Sequence, residues 1–250
     1  MYFNDVHIIY YIIITILGAL IGKITNWANY RLPEQKNVIS LDFFRKQKQY
    51  KENYLVILAN AVLYILILYT FGMQGTFAAN LELIKYLILT PMLISVFVID
   101  YKFRIIPNRL NLTIFETGLI IAFLHGISNT AITINMLLGM VAGGGIFLIM
   151  TLISKLILGK DSIGLGDVKL MGGLGLYFGL TNIIVISIVA FFLAAIFSLI
   201  LLIIKAKKPD EHMSFGPFIV IGSFISIYVP INTIITILAK ICTLGLYQIK

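Results

Sequence analysis

The chain has 250 residues, of which 60% are hydrophobic and only 12% charged, and its mean hydropathy is +0.99. A soluble domain carries about a quarter charged residues, so a water-soluble globular fold is excluded. The net charge of +8 is concentrated in short loops, with 15 of the 19 Lys and Arg inside 31–51, 102–109, 155–169 and 205–208, a pattern that reports membrane orientation and argues against a nucleic-acid partner.

In lipid every backbone polar group must be satisfied within the protein, which leaves helices or a closed barrel. Runs such as 183–204 lack the alternation of barrel strands. The expected fold is therefore all-α: a polytopic transmembrane helical bundle of about eight spans, nine being possible, with the N-terminus outside. The four basic loops then face the cytoplasm. A first span over 7–26 has no basic segment before it and no small-residue cleavage site after it, so it reads as a retained helix. Residues 1–33 make the first unit and 34–53 a short cytoplasmic loop, polar apart from Leu41, Phe43 and Phe44, with an amphipathic segment expected there. Residues 54–250 form the remaining membrane-embedded domain.

Within that domain, spans are expected at 54–71, 83–100, 111–124 and 132–153. The last of these carries Gly139, Gly143, Gly144 and Gly145, which either admit a close helix neighbour or kink the helix. A short segment, 168–180, holds Gly172, Gly173, Gly175 and Gly179, the kind of interrupted stretch that marks functional sites. Spans at 182–204 and from 216 follow, and Pro230 leaves the remainder as an extension or an interfacial helix. Trp27 and Tyr30 read as interfacial aromatic anchors.

Three acidic residues lie in or beside apolar runs: Asp100, Glu116 and Asp167. Each costs about 2.5–3.5 kcal/mol on insertion scales, so each requires a reason. Asp100 closes the third span and Asp167 opens the sixth, which by topology puts both on one membrane face. Two carboxylates within a few ångströms do not readily both ionise, so such a pair shares a proton. The anion then takes a proton from water while the acid donates to a carbonyl oxygen, which is general acid–base hydrolysis. On the residues alone other readings stay open. Asp167 suits a helix N-terminus, although Asp100, at a C-terminus, opposes the helix dipole. A proton-coupled transporter or channel would use the same acids as a relay, but with acids near the midplane or on both faces. Glu116 is expected to be a buried, hydrogen-bonded structural acid. One cysteine, Cys242, and scattered His7, His125 and His212 offer no metal-ligand pattern.

Four motifs, in order, carry a resemblance. The segments are Asn26-Trp27-Ala28-Asn29-Tyr30-Arg31-Leu32-Pro33; Ile99-Asp100-Tyr101-Lys102-Phe103-Arg104-Ile105-Ile106-Pro107-Asn108; Gly164-Leu165-Gly166-Asp167-Val168-Lys169-Leu170; and Phe215-Gly216-Pro217-Phe218. Together they resemble the signatures of the type IV prepilin peptidases, aspartic proteases with a Gly-x-Gly-Asp motif, and the Arg31-Leu32-Pro33 and Phe215-Gly216-Pro217-Phe218 segments favour that branch over preflagellin-type and presenilin-like intramembrane proteases. The resemblance implies that Asp100 and Asp167 are catalytic and need no cofactor for proteolysis. It implies prepilin or pseudopilin substrates, cut after a glycine at the cytoplasmic face of the bacterial inner membrane. Many members carry a larger insert with Cys-x-x-Cys pairs and also N-methylate with S-adenosylmethionine. Here 34–53 contains no cysteine, which leaves methylation open.

Supporting roles have ordinary alternatives. Gly164 and Gly166 let backbone approach the substrate. Lys102 and Lys169 either act on the pair or anchor and snorkel at the interface. Phe215, Gly216 and Pro217 shape a substrate groove or simply start a helix.

Overall fold

The computed structural model describes residues 2–4, 6–38, 52–158, 164–204 and 214–243. The expected amphipathic segment around Leu41, Phe43 and Phe44 and the basic cluster at 205–208 lie outside these residues. Among the described residues the only β structure is a two-stranded ribbon, β1 (Tyr2–Phe3) against β2 (Val6–His7). Eight helices follow: α1 (Ile8–Arg31), α2 (Tyr54–Phe71), α3 (Leu81–Phe103), α4 (Asn108–Ser128), α5 (Thr130–Leu158), α6 (Leu165–Ile203), α7 (Gly216–Tyr228) and α8 (Ile231–Cys242). The first six are long and apolar enough to cross a bilayer. The protein is a multi-pass, all-α membrane bundle.

Helix α6 is a hairpin. Its one non-helical residue is Gly179, at φ 72 and ψ 178, a backbone region that favours glycine. The partners along α5 show the reversal. Asn135 accepts from the Leu180 N–H at 3.2 Å, Gly139 lies on Gly175, Gly143 meets both Met171 and Ile183, and the rings of Phe147 and Phe191 stack 5.2 Å apart. Ascending α5, the partners on α6 first fall in number and then rise, so 165–178 runs antiparallel to α5 and 180–203 parallel to it. These arms are the sixth and seventh segments expected from sequence, and α7 is the eighth. Pro230 begins α8 as a separate short helix, which packs Ile234 on Val185 and Val189.

The α5 glycines serve close approach. Helix α5 is continuous, and a Cβ on Gly139 would lie 2.5 Å from the Gly175 carbonyl oxygen. In α1, Gly18 and Gly22 do the same, where a Cβ would stand 2.9 Å from Ala61 Cα and 2.8 Å from Ile57 Cα of α2. This is small-residue packing at i, i+4, which draws helices together where lipid supplies no hydrophobic drive. The core lies between α3, α4 and the first arm of α6, with Leu93, Ile99, Ile114, Leu170 and Leu174 fully buried.

Two expectations are corrected. Trp27 is only 2% exposed, its indole N–H donating to the Val38 carbonyl at 3.0 Å and its ring stacking under Arg31, so it is a packed residue of α1's last turns and not an interfacial anchor; Tyr30 sits beside it, half-buried. Glu116 is exposed. The buried face of α4 runs through Ile114, Gly118, Ile121, Ala122 and His125, and two residues on from Ile114 the helical period turns Glu116 to the opposite side.

Candidate active site

Asp100 lies in the last turn of α3. The helix stops because Arg104 is left-handed, at φ 56, with its N–H donating to the Asp100 carbonyl at 2.8 Å. The short connection 104–107 then turns the chain into α4. The Asp100 side chain is 4% exposed. Its Oδ2 accepts from the Ser214 hydroxyl in a very short hydrogen bond and from the Gly216 N–H at 2.9 Å. That segment is anchored by Phe215, whose ring packs 5.6 Å from Phe147 and 5.0 Å from Phe191. Phe215 thus belongs to an internal aromatic cluster between α5, α6 and α7. Glycine is required at 216 because a Cβ there would overlap the Asp100 carboxylate.

Asp167 lies in the first turn of α6, 8% exposed, its N–H donating to the Gly164 carbonyl at 3.0 Å. A Cβ on Gly166 would crowd Ile106 at 3.3 Å, whereas one on Gly164 would make only ordinary contact with Asp167 at 3.4 Å. Tight packing therefore explains Gly166 and not Gly164. The carboxylates of Asp100 and Asp167 come from the C-terminal end of one helix and the N-terminal end of another. Ile106, in the connection that follows α3, packs against Gly166, so the end of α3 and the start of α6 adjoin, and both aspartates are buried at this end of the bundle.

The remaining candidates surround this pair. Lys169 is exposed and its Nζ donates to Asn108 Oδ1 at 2.9 Å. One turn away, Asn111 Nδ2 donates to the Gly166 carbonyl at 3.0 Å. These residues border a cavity of about 420 Å³ with Leu112, Phe115, Gly172 and Gly173. Lys102 lies with its Nζ 5.1 Å from the Phe103 ring centroid and, with Tyr101, lines a more apolar groove of about 630 Å³ between α2, α3 and α7. Pro217 is buried in the first turn of α7. Among the described residues no three His, Cys, Asp or Glu side chains gather as a metal site would need.

Sequence reading missed Ser214 and Asn111. Nothing in composition flags a serine or an asparagine whose partner lies 114 or 55 positions away. It also missed a cluster at the opposite end of the bundle. There Lys85, 5% exposed, pairs with Glu82 at 2.5 Å, and His125 lies 3.6 Å from the same carboxylate. An intramembrane charge rule would have found Lys85.

Residues 87–199 match the model of the type IV leader peptidase family. That span contains both aspartates but neither the segment ending at Pro33 nor the one beginning at Phe215. Three similar curated proteins are each named prepilin leader peptidase/N-methyltransferase. The one from Aeromonas salmonicida (strain A449) is 27% identical over 153 residues, 61% of this chain and 49% of the relative. The one from Neisseria gonorrhoeae is 30% identical over 139 residues, 56% and 46%. The one from Legionella pneumophila is 28% identical over 156 residues, 61% and 52%. The chain spans about half the length of the curated relatives it matches. No solved structure matches it. Over residues 87–199 the chain is thus similar to the type IV leader peptidase family, and over a comparable length to these prepilin leader peptidases/N-methyltransferases.

Proposed function

We propose that the chain is a member of the type IV leader peptidase family, an aspartic endopeptidase whose catalytic pair is Asp100 and Asp167 and whose substrates are prepilins or pseudopilins. The observation that supports the reading is the burial of two carboxylates, from the end of α3 and the start of α6, at one end of a membrane bundle.

The chemistry follows from two carboxylates sharing one proton. The anionic member takes a proton from water as the water oxygen adds to the scissile carbonyl carbon. The protonated member gives its proton to the carbonyl oxygen. Collapse of the tetrahedral adduct breaks the C–N bond, and a carboxyl group of the pair delivers a proton to the leaving amine. Two hydrogen bonds on Asp100 Oδ2 hold one half of the pair in place, and the packed Gly166 turn holds the other.

The clustering of Lys and Arg in the loops supports a cytoplasmic setting for the dyad's end of the bundle with the N-terminus outside, and the similarity to prepilin leader peptidases supports a bacterial inner membrane. A basic leader ending in glycine, joined to an apolar helix, presents its scissile bond at that level. On this reading 1–33, 34–53 and 54–250 are the first helix, a short loop and the peptidase domain. The curated relatives' names add N-methylation, which would draw on S-adenosylmethionine.

Co-expression with a prepilin bearing a glycine-terminated leader tests the proposal. Processing is expected from the natural chain and from neither Asp100→Asn nor Asp167→Asn; processing that survives either substitution sinks the dyad. Mass spectrometry of the mature N-terminus reads methylation as the presence or absence of one added methyl group.

A further inference from the structure

The turn that carries Asp167 opens α6. Its one side-chain tether from α4 to the Gly-Leu-Gly-Asp backbone is Asn111, whose Nδ2 donates to the Gly166 carbonyl at 3.0 Å. Asn111 is 4% exposed. That carbonyl belongs to the residue immediately before Asp167, so the hydrogen bond acts on the peptide plane from which the Asp167 backbone continues.

Donation to Gly166 also fixes which way the amide faces, and Asn111 Oδ1 is left buried without a hydrogen-bond partner. A buried unpaired acceptor costs about 1–3 kcal/mol. An apolar residue at 111 would avoid that cost, and leucine, at neighbouring 110 and 112, is the local norm. The asparagine is retained at a position where packing alone favours a hydrocarbon side chain. One turn earlier on α4, Asn108 holds Lys169, two residues beyond Asp167. Asp167 is thus bracketed by two tethers from one turn of one helix, at 166 and at 169.

We propose that Asn111 is a positioning residue for the peptidase reaction: through the Gly166 carbonyl it sets the backbone orientation that aims Asp167 at Asp100. The inference rests on the peptidase reading above. It assigns Asn111 no contact with substrate; its effect passes through the placement of one carboxylate relative to the other.

The test uses the full chain in lipid nanodiscs and a synthetic peptide with a basic leader, a glycine at the cleavage point and an apolar segment after it. Misplacing a catalytic group by about 1 Å costs on the order of 100-fold. Asn111→Leu, which keeps the volume and loses the donor, is expected to lower kcat by about that factor with KM within about twofold and thermal unfolding unchanged or raised. The limits of its pH–rate profile are expected to move, because they report the coupled pair. Asn111→Gln, which keeps the donor, is expected to recover most of the loss. Equal kcat in Asn111→Leu and the natural chain, or a loss with an unmoved pH profile that Asn111→Gln does not relieve, overturns the assignment. Should Asn111→Leu not fold, Asn111→Ser against Asn111→Ala makes the same comparison with one hydroxyl donor, and equal kcat in those two overturns it. A natural chain that leaves the peptide intact overturns the peptidase reading itself, which distinguishes that failure from the failure of the tether.

Discussion

Ser214 donates its hydroxyl to Oδ2 of Asp100, joining the segment before α7 to the last turn of α3 across 114 positions of sequence. The same oxygen takes the Gly216 N–H, so both hydrogen bonds fall on one carboxylate oxygen. A hydrogen bond to a charged group contributes about 1.5–3 kcal/mol. Ser214→Ala is therefore expected to lower kcat for leader cleavage by roughly 10- to 100-fold, while Ser214→Thr, which keeps the hydroxyl, stays nearer the natural rate. Steady-state kinetics on the leader peptide check it, and equal rates for alanine and serine would remove Ser214 from the site.

Gly216 faces Asp100 so closely that any Cβ overlaps the carboxylate. Gly216→Ala must displace Asp100 or the start of α7, and a loss of cleavage of about 100-fold or more is expected. Gly75→Ala, in a loop where the added carbon meets nothing within 4 Å, is the matched control and should cleave normally. Both variants are compared in the prepilin co-expression assay.

The α5–α6 seam makes a stability prediction inside one helix. Gly139→Ala drives a carbon to 2.5 Å from the Gly175 carbonyl oxygen, whereas Gly145→Ala meets open space. Overpacking costs about 1–3 kcal/mol, and removing an unneeded helical glycine gains up to about 1 kcal/mol. Thermal unfolding in detergent should fall for the first and hold or rise for the second.

At the far end of the bundle, Glu82 and Lys85 are unequal partners, Lys85 buried and Glu82 45% exposed at its side chain. Glu82→Gln leaves a buried ammonium without its carboxylate; Lys85→Met leaves a carboxylate that solvent reaches. The first is expected to cost more, roughly 1.5–3 kcal/mol given that partial exposure, and the second less. Comparing unfolding midpoints of the two variants checks the order.

The all-α bundle was legible because composition excludes every other solvent for this chain, and the α6 hairpin because its glycines break an apolar run. Asp100 and Asp167 stood out for the same reason that makes them expensive: few acids border hydrocarbon here. Ser214 and Asn111 were not legible, since a neutral polar residue near a helix end is unremarkable until a partner from a distant helix is brought to it. Glu116 misled because a carboxylate inside an apolar run was taken as buried, whereas its helical phase relative to Ile114 and Gly118 turns it outward. Trp27 misled in the opposite sense: its place near a span end suggested an anchor, but the Val38 carbonyl and Arg31 enclose it.

The reversal at Gly179 sets a length. The arm that carries Asp167, 165–178, rises about 21 Å at 1.5 Å per residue, against about 30 Å of hydrocarbon. With the hairpin tip level with one interface, the aspartate end falls about 9 Å short of the other, a hydrophobic mismatch that bilayers meet by thinning. Thinning of that kind would bring the aqueous boundary down to Asp167, and membranes of different thickness would then change how readily water reaches it.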